Sequence, residues 1–363
     1  MADAEQKIKE LEEQLSKTKY NKATEHFFGV VKAQIAKLRE KLEKQSKKGS
    51  GKGFAVKKTG HATAALLGFP SVGKSTLINK ITSAKSRVGE YDFTTLDVVP
   101  GVMEYNNAQI QILDIPGVIH GAAHGRGRGK EVLAVVRNCD LIVILVDALH
   151  TENLKSISKE LYDAGIRINK KKPDIAVKKK DRGGVSISST VDLKLSRKTI
   201  ESVLREFKIS NADVIIREEI DIDRLIDAVE ANRAYTNALV VVTKIDLVDK
   251  EKIKSIEREL KPDAVISAEK GVGIEELKEK LFQKLNFVRI FLKEVGKKPD
   301  LDKPMVLKSP VTVETVCRNI HRDFVSKFKF VRIWGKSAKF LGQVKRNIDS
   351  ALEDGDIVEI HTR

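Results

Sequence analysis

The sequence predicts an α/β fold: a mainly parallel sheet with helices on both faces, an N-terminal helical hairpin, an inserted α+β module and a C-terminal β-grasp-like unit. Three observations predict it. From residue 61, short apolar runs (ATAALL, MEYNNAQIQILD, LIVILVD, ALVVVTKID, DAVISA) alternate with helical stretches. Between Asp147 and Ala238 roughly 90 residues separate two runs that read as neighbouring strands, where a βαβ unit needs only about 30. After LKEKLFQKLNFVRIFLKEVG the composition shifts to short strands around one helical stretch.

Taken in order, Ile8, Leu11 and Leu15 form one apolar stripe and Val31, Ile35, Leu38 and Leu42 another, both at helical spacing. YNKATEH between them reads as a turn capped by Asn21 or Thr24. The hairpin either docks on the chain's own body or is offered to a partner. QSKKGSGKGFAVKKTG (45–60) is too rich in Gly, Ser and Lys to pack and reads as a linker, so 1–58 forms the first segment. The α/β domain follows in two parts, 59–165 and 236–290. The insertion (166–235) holds a lysine-rich loop, NKKKPDIAVKKKDRGG, an alternating segment, VSISSTVDLKL, and a helical one, SRKTIESVLREFK. In 291–363 the strands MVLKS, VRIWG and DIVEIHT surround the helical VETVCRNIHRDFV, the last strand following a DGD turn.

With 363 residues and 41% apolar content, the chain can bury a sizeable core. Its longest apolar run, LIVILVDAL, is broken by Asp147 and too short to span a bilayer. MADAEQKIKELEEQ lacks an apolar core for secretion. Cys139 and Cys317 offer neither a disulfide framework nor a metal spacing, which fits a reducing cytoplasm. A net charge of +16 calls for a polyanionic partner, nucleic acid before membrane. The competing explanation is a lysine- and glutamate-rich surface of the thermophile kind. Clustering favours RNA: residues 166–183 hold 8 Lys/Arg against 2 Asp/Glu.

GFPSVGKS (68–75) is a complete G-x-x-x-x-G-K-[ST] between a strand and the helical TLINKIT. Gly68 and Gly73 let the backbone of Phe69, Pro70, Ser71, Val72 and Thr76 wrap phosphates at a helix N-terminus. Lys74 reaches the β- and γ-phosphates, and the Ser75 hydroxyl ligates Mg²⁺. TKID places Lys244 along a base and Asp246 against the N1–H and N2–H₂ of guanine, groups that adenine lacks. Thr243 replaces the usual asparagine of that element. In SAEKG, Ser267, Ala268 and Glu269 bring a backbone N–H to the guanine O6. Between these elements, GEYDFTTL offers Thr95, with Thr94 the alternative, to close over Mg²⁺ and the γ-phosphate. In LDIPG, Asp114 holds the metal through water and the Gly117 N–H meets the γ-phosphate. The position of the water-orienting glutamine is Val118, which cannot hydrogen-bond a water. The nucleotide is GTP or GDP. A metabolic P-loop kinase is disfavoured, since TKID and SAEKG would then have no purpose.

GFPSVGKSTL, YDFTTLDVVPG, LDIPG and GAAHGRGRGKEVL resemble the Obg-related GTPases, and the insertion and C-terminal unit resemble those of the developmentally regulated GTP-binding (DRG) subfamily. The resemblance implies a GTPase domain interrupted by a module similar to the second domain of ribosomal protein S5, and a C-terminal TGS domain. It implies association with ribosomes and translation, and in eukaryotic relatives a stabilising partner protein. A hydrophobic residue at the glutamine position is expected of Obg-type proteins. Some relatives use K⁺ near the phosphates with a P-loop asparagine; Ser71 stands at that position, which leaves K⁺ dependence open. The expectation is a cytoplasmic, monomeric, slow GTPase completed in trans, or by Arg126 and Arg128 of its own switch II. The alternative is a GTP-sensing RNA- or ribosome-binding module whose hydrolysis is incidental. His120 and His124 read as loop residues. The basic stretch 170–182 fits phosphate contact, and Trp334 with Arg332, Lys336 and Lys339 either stacks on an RNA base or belongs to the core.

Overall fold

In the computed structural model the described residues are 2–47, 60–82, 99–115 and 129–363. They divide into two compact units, one formed by the N-terminal helices with 161–235, the other by the rest.

The hairpin consists of α1 (Ala2–Lys17) and α2 (Glu25–Lys47), joined where Ile8 and Leu11 meet Val31 and Ile35. Both candidate caps act at once. The Thr24 N–H donates to Asn21 Oδ1 at 3.0 Å and the Asn21 N–H to Thr24 Oγ1 at 2.9 Å.

Next come β1 (Ala62–Leu67), α3 (Lys74–Ile81), β2 (Val99–Tyr105), β3 (Ala108–Asp114), α4 (Gly129–Asn138), β4 (Leu141–Asp147) and α5 (Asn153–Asp163). β1 is parallel to both β3 and β4. The run MEYNNAQIQILD is a hairpin rather than one strand: Asn106 and Asn107 take φ of 47° and 65°, and β2 pairs antiparallel with β3. Asparagine tolerates this left-handed turn geometry better than most residues, and the turn puts β2 at the sheet edge.

The inserted segment gives β5 (Ile166–Ile168), β6 (Ile175–Lys179), β7 (Val185–Ser189), α6 (Arg197–Glu206), β8 (Ala212–Ile216) and α7 (Ile222–Glu230). The lysine-rich stretch is therefore not wholly a loop. Its IAVKK segment pairs antiparallel with β8, whose other neighbour is β7, because Ile175 and Val177 have an apolar core to join. Lys180 is tied to Asp213 at 2.6 Å, leaving Lys178 and Lys179 exposed. Ser196 and Asp221 cap α6 and α7 through their side chains. The core beneath them gathers Ile200, Val203, Leu204, Val214, Ile216 and Leu225, and α2 contributes Phe28, Ala33 and Ala36. The hairpin thus docks on the chain itself. At Gly29 an added Cβ would come within 2.8 Å of Thr199 Cγ2, so α2 and α6 approach as closely as a missing side chain permits.

Glu25, 3% exposed, fastens this contact. Its Oε1 accepts the Ser196 N–H at 2.8 Å and the Thr199 hydroxyl at 2.9 Å, and its Oε2 accepts Lys22 Nζ at 2.7 Å. Burial alone would raise its pKa, but the bonds from Lys22, Ser196 and Thr199 outweigh it and lower the value from 4.5 to about 2. The resulting stabilisation, about 3 kcal/mol, is fully present above pH 4.5 and lost as pH falls toward 2. Glu25→Gln should lose most of it at pH 7 and flatten the acid limb in that window. Superimposable acid-unfolding curves for variant and parent would refute the assignment.

The chain returns with β9 (Ala234–Thr243), α8 (Lys250–Leu260), β10 (Ala264–Val265) and α9 (Ile274–Lys284). The sheet order β10-β9-β4-β1-β3-β2 places β1 where chain progression reverses, the point outside which ligands bind in open α/β sheets. Leu66, Leu77, Ile110, Ile112, Leu145 and Leu277 lie in the core around it.

The C-terminal elements are β11 (Phe287–Leu292), β12 (Met305–Lys308), β13 (Val311–Thr312), α10 (Val313–Ile320), α11 (Arg322–Ser326), β14 (Phe328–Trp334), β15 (Gln343–Lys345), β16 (Ala351–Leu352) and β17 (Ile357–Thr362). In the order β12-β11-β17-β14-β15 the parallel pair β11/β17 forms the centre of a β-grasp, over which Val313, Val316 and Cys317 of α10 pack. β11 starts at Phe287, before the composition shift near 291, since its pairing with β12 reaches back to Phe287↔Lys308. Trp334 is half-buried, with Lys293 Nζ 5.0 Å from its ring and Gly342 against its indole nitrogen. Cys139 and Cys317 are both buried free thiols. No helix among the described residues is long and apolar enough to cross a membrane.

Candidate nucleotide-binding site

The loop from β1 to α3 shows why its glycines are there. A Cβ on Gly68 would sit 2.8 Å from Val72 Cγ1 and 3.0 Å from the Leu145 carbonyl oxygen. Gly73 takes φ 96° immediately before α3, facing open space, and Ser71 also has positive φ, 63°. The loop therefore curls around a concavity at a helix N-terminus, where backbone N–H groups and the helix dipole favour an anion. Lys74 Nζ donates to the carbonyls of Gly68 at 3.0 Å and Phe69 at 3.1 Å, holding the ammonium beside the concavity. Burial lowers its pKa, and the Asp114 carboxylate opposes that shift.

Ser75 Oγ lies 3.5 Å from Asp114 Oδ2 at the end of β3. Among the described residues Asp114 Oδ1 is buried with no hydrogen-bond partner. A hydroxyl beside an unsatisfied carboxylate is the hard-oxygen donor chemistry that Mg²⁺ takes, directly or through its waters, so the residues fit the metal.

Two further loops rise from the same edge of the sheet. Thr243, 2% exposed, donates its hydroxyl to the Val72 carbonyl at 2.8 Å, tying the end of β9 to the phosphate loop. The substitution of threonine for asparagine thus keeps a side-chain link between the two motifs. Thr243→Val would leave the Val72 carbonyl without that donor; we expect a stability loss of about 1–3 kcal/mol and severalfold weaker GDP binding. Melting curves with and without GDP that match the parent would disprove the tether.

Lys244 has φ 57° and pairs with Asp147 Oδ2 at 2.8 Å. Asp147 Oδ1 accepts the Leu149 N–H at 2.9 Å. Burial would raise the Asp147 pKa, yet the bonds from Lys244 and Leu149 carry it below the ordinary carboxylate value. Sequence reasoning missed Asp147, which the register Asp147↔Thr243 sets beside the TKID segment. Asp246 stands half-buried on the next turn, and a hydrogen bond from the Ser267 hydroxyl lowers its pKa. Ser267 and Val272 exchange backbone bonds of 3.1 Å, and Lys270 N–H donates to Ser267 Oγ, folding SAEKG into a turn that carries Ala268 and Glu269. Gly273 closes the turn at φ 73°, where a Cβ would lie 2.4 Å from the Val265 carbonyl.

Residues 68–76, Asp114, 243–246 and 267–269 thus share one edge of the sheet. Thr94, Thr95, Gly117, Val118, His120, His124, Arg126 and Arg128 lie outside the described residues.

Three family models match: a 50S ribosome-binding GTPase over residues 63–180, the C-terminal region of that GTPase domain over 182–287, and a TGS domain over 288–362. An uncharacterized GTP-binding protein of Methanocaldococcus jannaschii is 51% identical over 361 residues, 98% of this chain and 92% of that protein. The developmentally-regulated GTP-binding protein 2 homolog of Dictyostelium discoideum is 43% identical over 98% of each chain, and developmentally-regulated GTP-binding protein 2 of Homo sapiens 42% identical over 98% of each. A solved GTP-binding protein from Pyrococcus horikoshii OT3 covers 83% of this chain and 100% of its own at 13% identity and a TM-score of 0.44, too loose a likeness to add to the argument. With identity above 40% sustained from end to end, and with GTPase and TGS models matched in turn, the chain belongs to the developmentally regulated GTP-binding proteins of the Obg-related GTPase class.

Proposed function

We propose that this GTP-binding protein is a slow, Mg²⁺-dependent GTPase that acts as a ribosome-associated switch. The observation that carries the proposal is Val118, in the glutamine position beside an otherwise complete set of nucleotide loops. The backbone of 68–76 holds the phosphates, Lys74 faces the β- and γ-oxygens, and Ser75 with Asp114 holds the metal. When bound, Mg²⁺ neutralises charge between the β- and γ-phosphates. Asp246 accepts from guanine N1–H and N2–H₂, and the SAEKG turn offers a backbone N–H to O6. Thr95 and the Gly117 N–H read the γ-phosphate.

Nothing in that set orients the attacking water, so a group supplied in trans, a K⁺ ion, or Arg126 and Arg128 of the chain itself completes the site. An arginine finger, where one is used, supplies about 10³–10⁵ in rate. Support for a ribosomal partner comes from the 50S ribosome-binding description of the matched GTPase model and from the +16 charge. The exposed Lys178 and Lys179, within an S5-like module spanning 166–235, suit the phosphate backbone of RNA. The protein works in the cytoplasm as a monomer, with or without a stabilising partner protein.

The test is single-turnover GTP hydrolysis in K⁺ and in Na⁺, each with and without ribosomes. Slow turnover alone and stimulation of at least a hundredfold by ribosomes is the expected result. Rapid turnover of the isolated protein in Na⁺ would overturn it. Stimulation by K⁺ alone would mean that the chain completes its own site despite Ser71. No stimulation by either would favour the GTP-sensing binding module.

A further inference from the structure

The C-terminal unit carries a loop, residues 335–342 between β14 and β15, that is rigidly held yet shows bare apolar side chains. Gly335 adopts φ 144°, and a Cβ there would fall 2.3 Å from Asp356 Oδ1, so the chain passes directly over a fully buried carboxylate. That carboxylate accepts the Ser337 N–H at 3.3 Å. The Lys339 N–H donates to Gln343 Oε1 at 2.8 Å, and Lys345 Nζ donates to the Ser337 carbonyl at 2.8 Å. These bonds tie the loop to β15 and to the Asp356 carboxylate beneath it. At its tip Phe340 is 64% exposed and Leu341 82%.

Two adjacent, large, exposed apolar side chains on an ordered loop cost solvation free energy in the free protein, and they mark a contact surface. The surroundings decide the partner. Residues 335–346 include Lys336, Lys339, Lys345 and Arg346 and no acidic residue; of the acids beside them, Asp356 is fully buried and Asp354 is paired with Arg289. An aromatic ring fixed among cations is the arrangement that stacks on an unpaired base while the cations meet the flanking phosphates. Trp334 is not the free ring, because Lys293 and Gly342 lie against it.

We propose that this loop binds unpaired RNA, with Phe340 stacking on one base, Leu341 wedged beside it, and Lys336 and Lys339 on phosphates. The proposal rests on the reading of RNA as the partner and assigns it a base-contacting point. The test uses the full chain and a labelled RNA hairpin with 2-aminopurine in its single-stranded loop, titrated at several salt concentrations. Phe340→Ala should weaken binding about 10- to 100-fold with an unchanged salt slope, and should abolish the 2-aminopurine stacking signal. Phe340→Tyr should restore both. Lys339→Ala should reduce the salt slope by about one while keeping the signal.

Equal affinity of Phe340→Ala and parent would overturn the proposal. So would preference of the parent for a fully paired duplex, or binding of neither RNA. The two readings fail separately. Ribosomes that leave GTP hydrolysis unchanged defeat the switch and spare the loop, whereas a silent Phe340→Ala defeats the loop and spares the switch.

Discussion

Lys74→Ala should reduce affinity for GTP and GDP at least about 100-fold while leaving the fold intact. Charge-assisted hydrogen bonds contribute about 1.5–3 kcal/mol each, and an ammonium set against two phosphates makes at least two. The protein has prepared for this by half-burying the lysine and holding its Nζ on two loop carbonyls, of Gly68 and Phe69. Nucleotide phosphates would take over part of that ammonium's coordination at little cost in side-chain ordering. Titration with a fluorescent GDP analogue measures the loss, and the unliganded melting temperature reports the fold. A change below threefold would show that the phosphate cradle works through backbone N–H groups and the metal alone.

The second large effect lies far from chemistry. Arg167, 4% exposed, engages both oxygens of Asp227, at 2.6 and 2.7 Å, and Arg233 Nε adds a third contact at 2.9 Å. The Tyr162 ring lies 3.8 Å from the Arg167 guanidinium carbon. Asp227→Ala strands a guanidinium in a dry site, and breaking one partner of a buried pair typically costs about 3–5 kcal/mol. The expected result is an early unfolding transition of the unit made by the N-terminal helices and 161–235, in urea or by calorimetry. Replacing both partners together, Arg167→Met with Asp227→Leu, should cost much less, because the buried Arg167 charge leaves with its acid and Arg233 keeps its pairing with Glu230. A double variant as unstable as the single one would contradict the argument.

Much of the sheet and the nucleotide loops was legible in the sequence because they repeat a local code. The glycine positions, the Lys74–Ser75 pair and the TKID and SAEKG segments follow from steric and hydrogen-bond demands that act over a few residues. What was hidden depends on partners distant in sequence. IAVKK reads as part of a charged loop until β8 lies beside it to pair with its backbone. The split of MEYNNAQIQILD turns on two asparagines with positive φ, a choice made only when β2 folds back along β3. Asp147 gains meaning once β4 and β9 stand in register. Sequence reasoning singled out Trp334 and passed over Phe340; the structure sets Lys293 and Gly342 against Trp334 and leaves Phe340 exposed.

The sharing of α2 between distant segments also constrains how the protein is made. The apolar stripe of α2 leaves the ribosome early, but the α6 surface that receives Phe28, Ala33 and Ala36 begins only at Arg197. At synthesis rates of 5–20 residues per second, the nascent hairpin waits roughly 10–30 s for its cover. During that interval it must shield its second face alone or be shielded by a chaperone. N-terminal deletions should therefore harm the yield of soluble protein more than its nucleotide chemistry, and slowing translation should lengthen the period of risk.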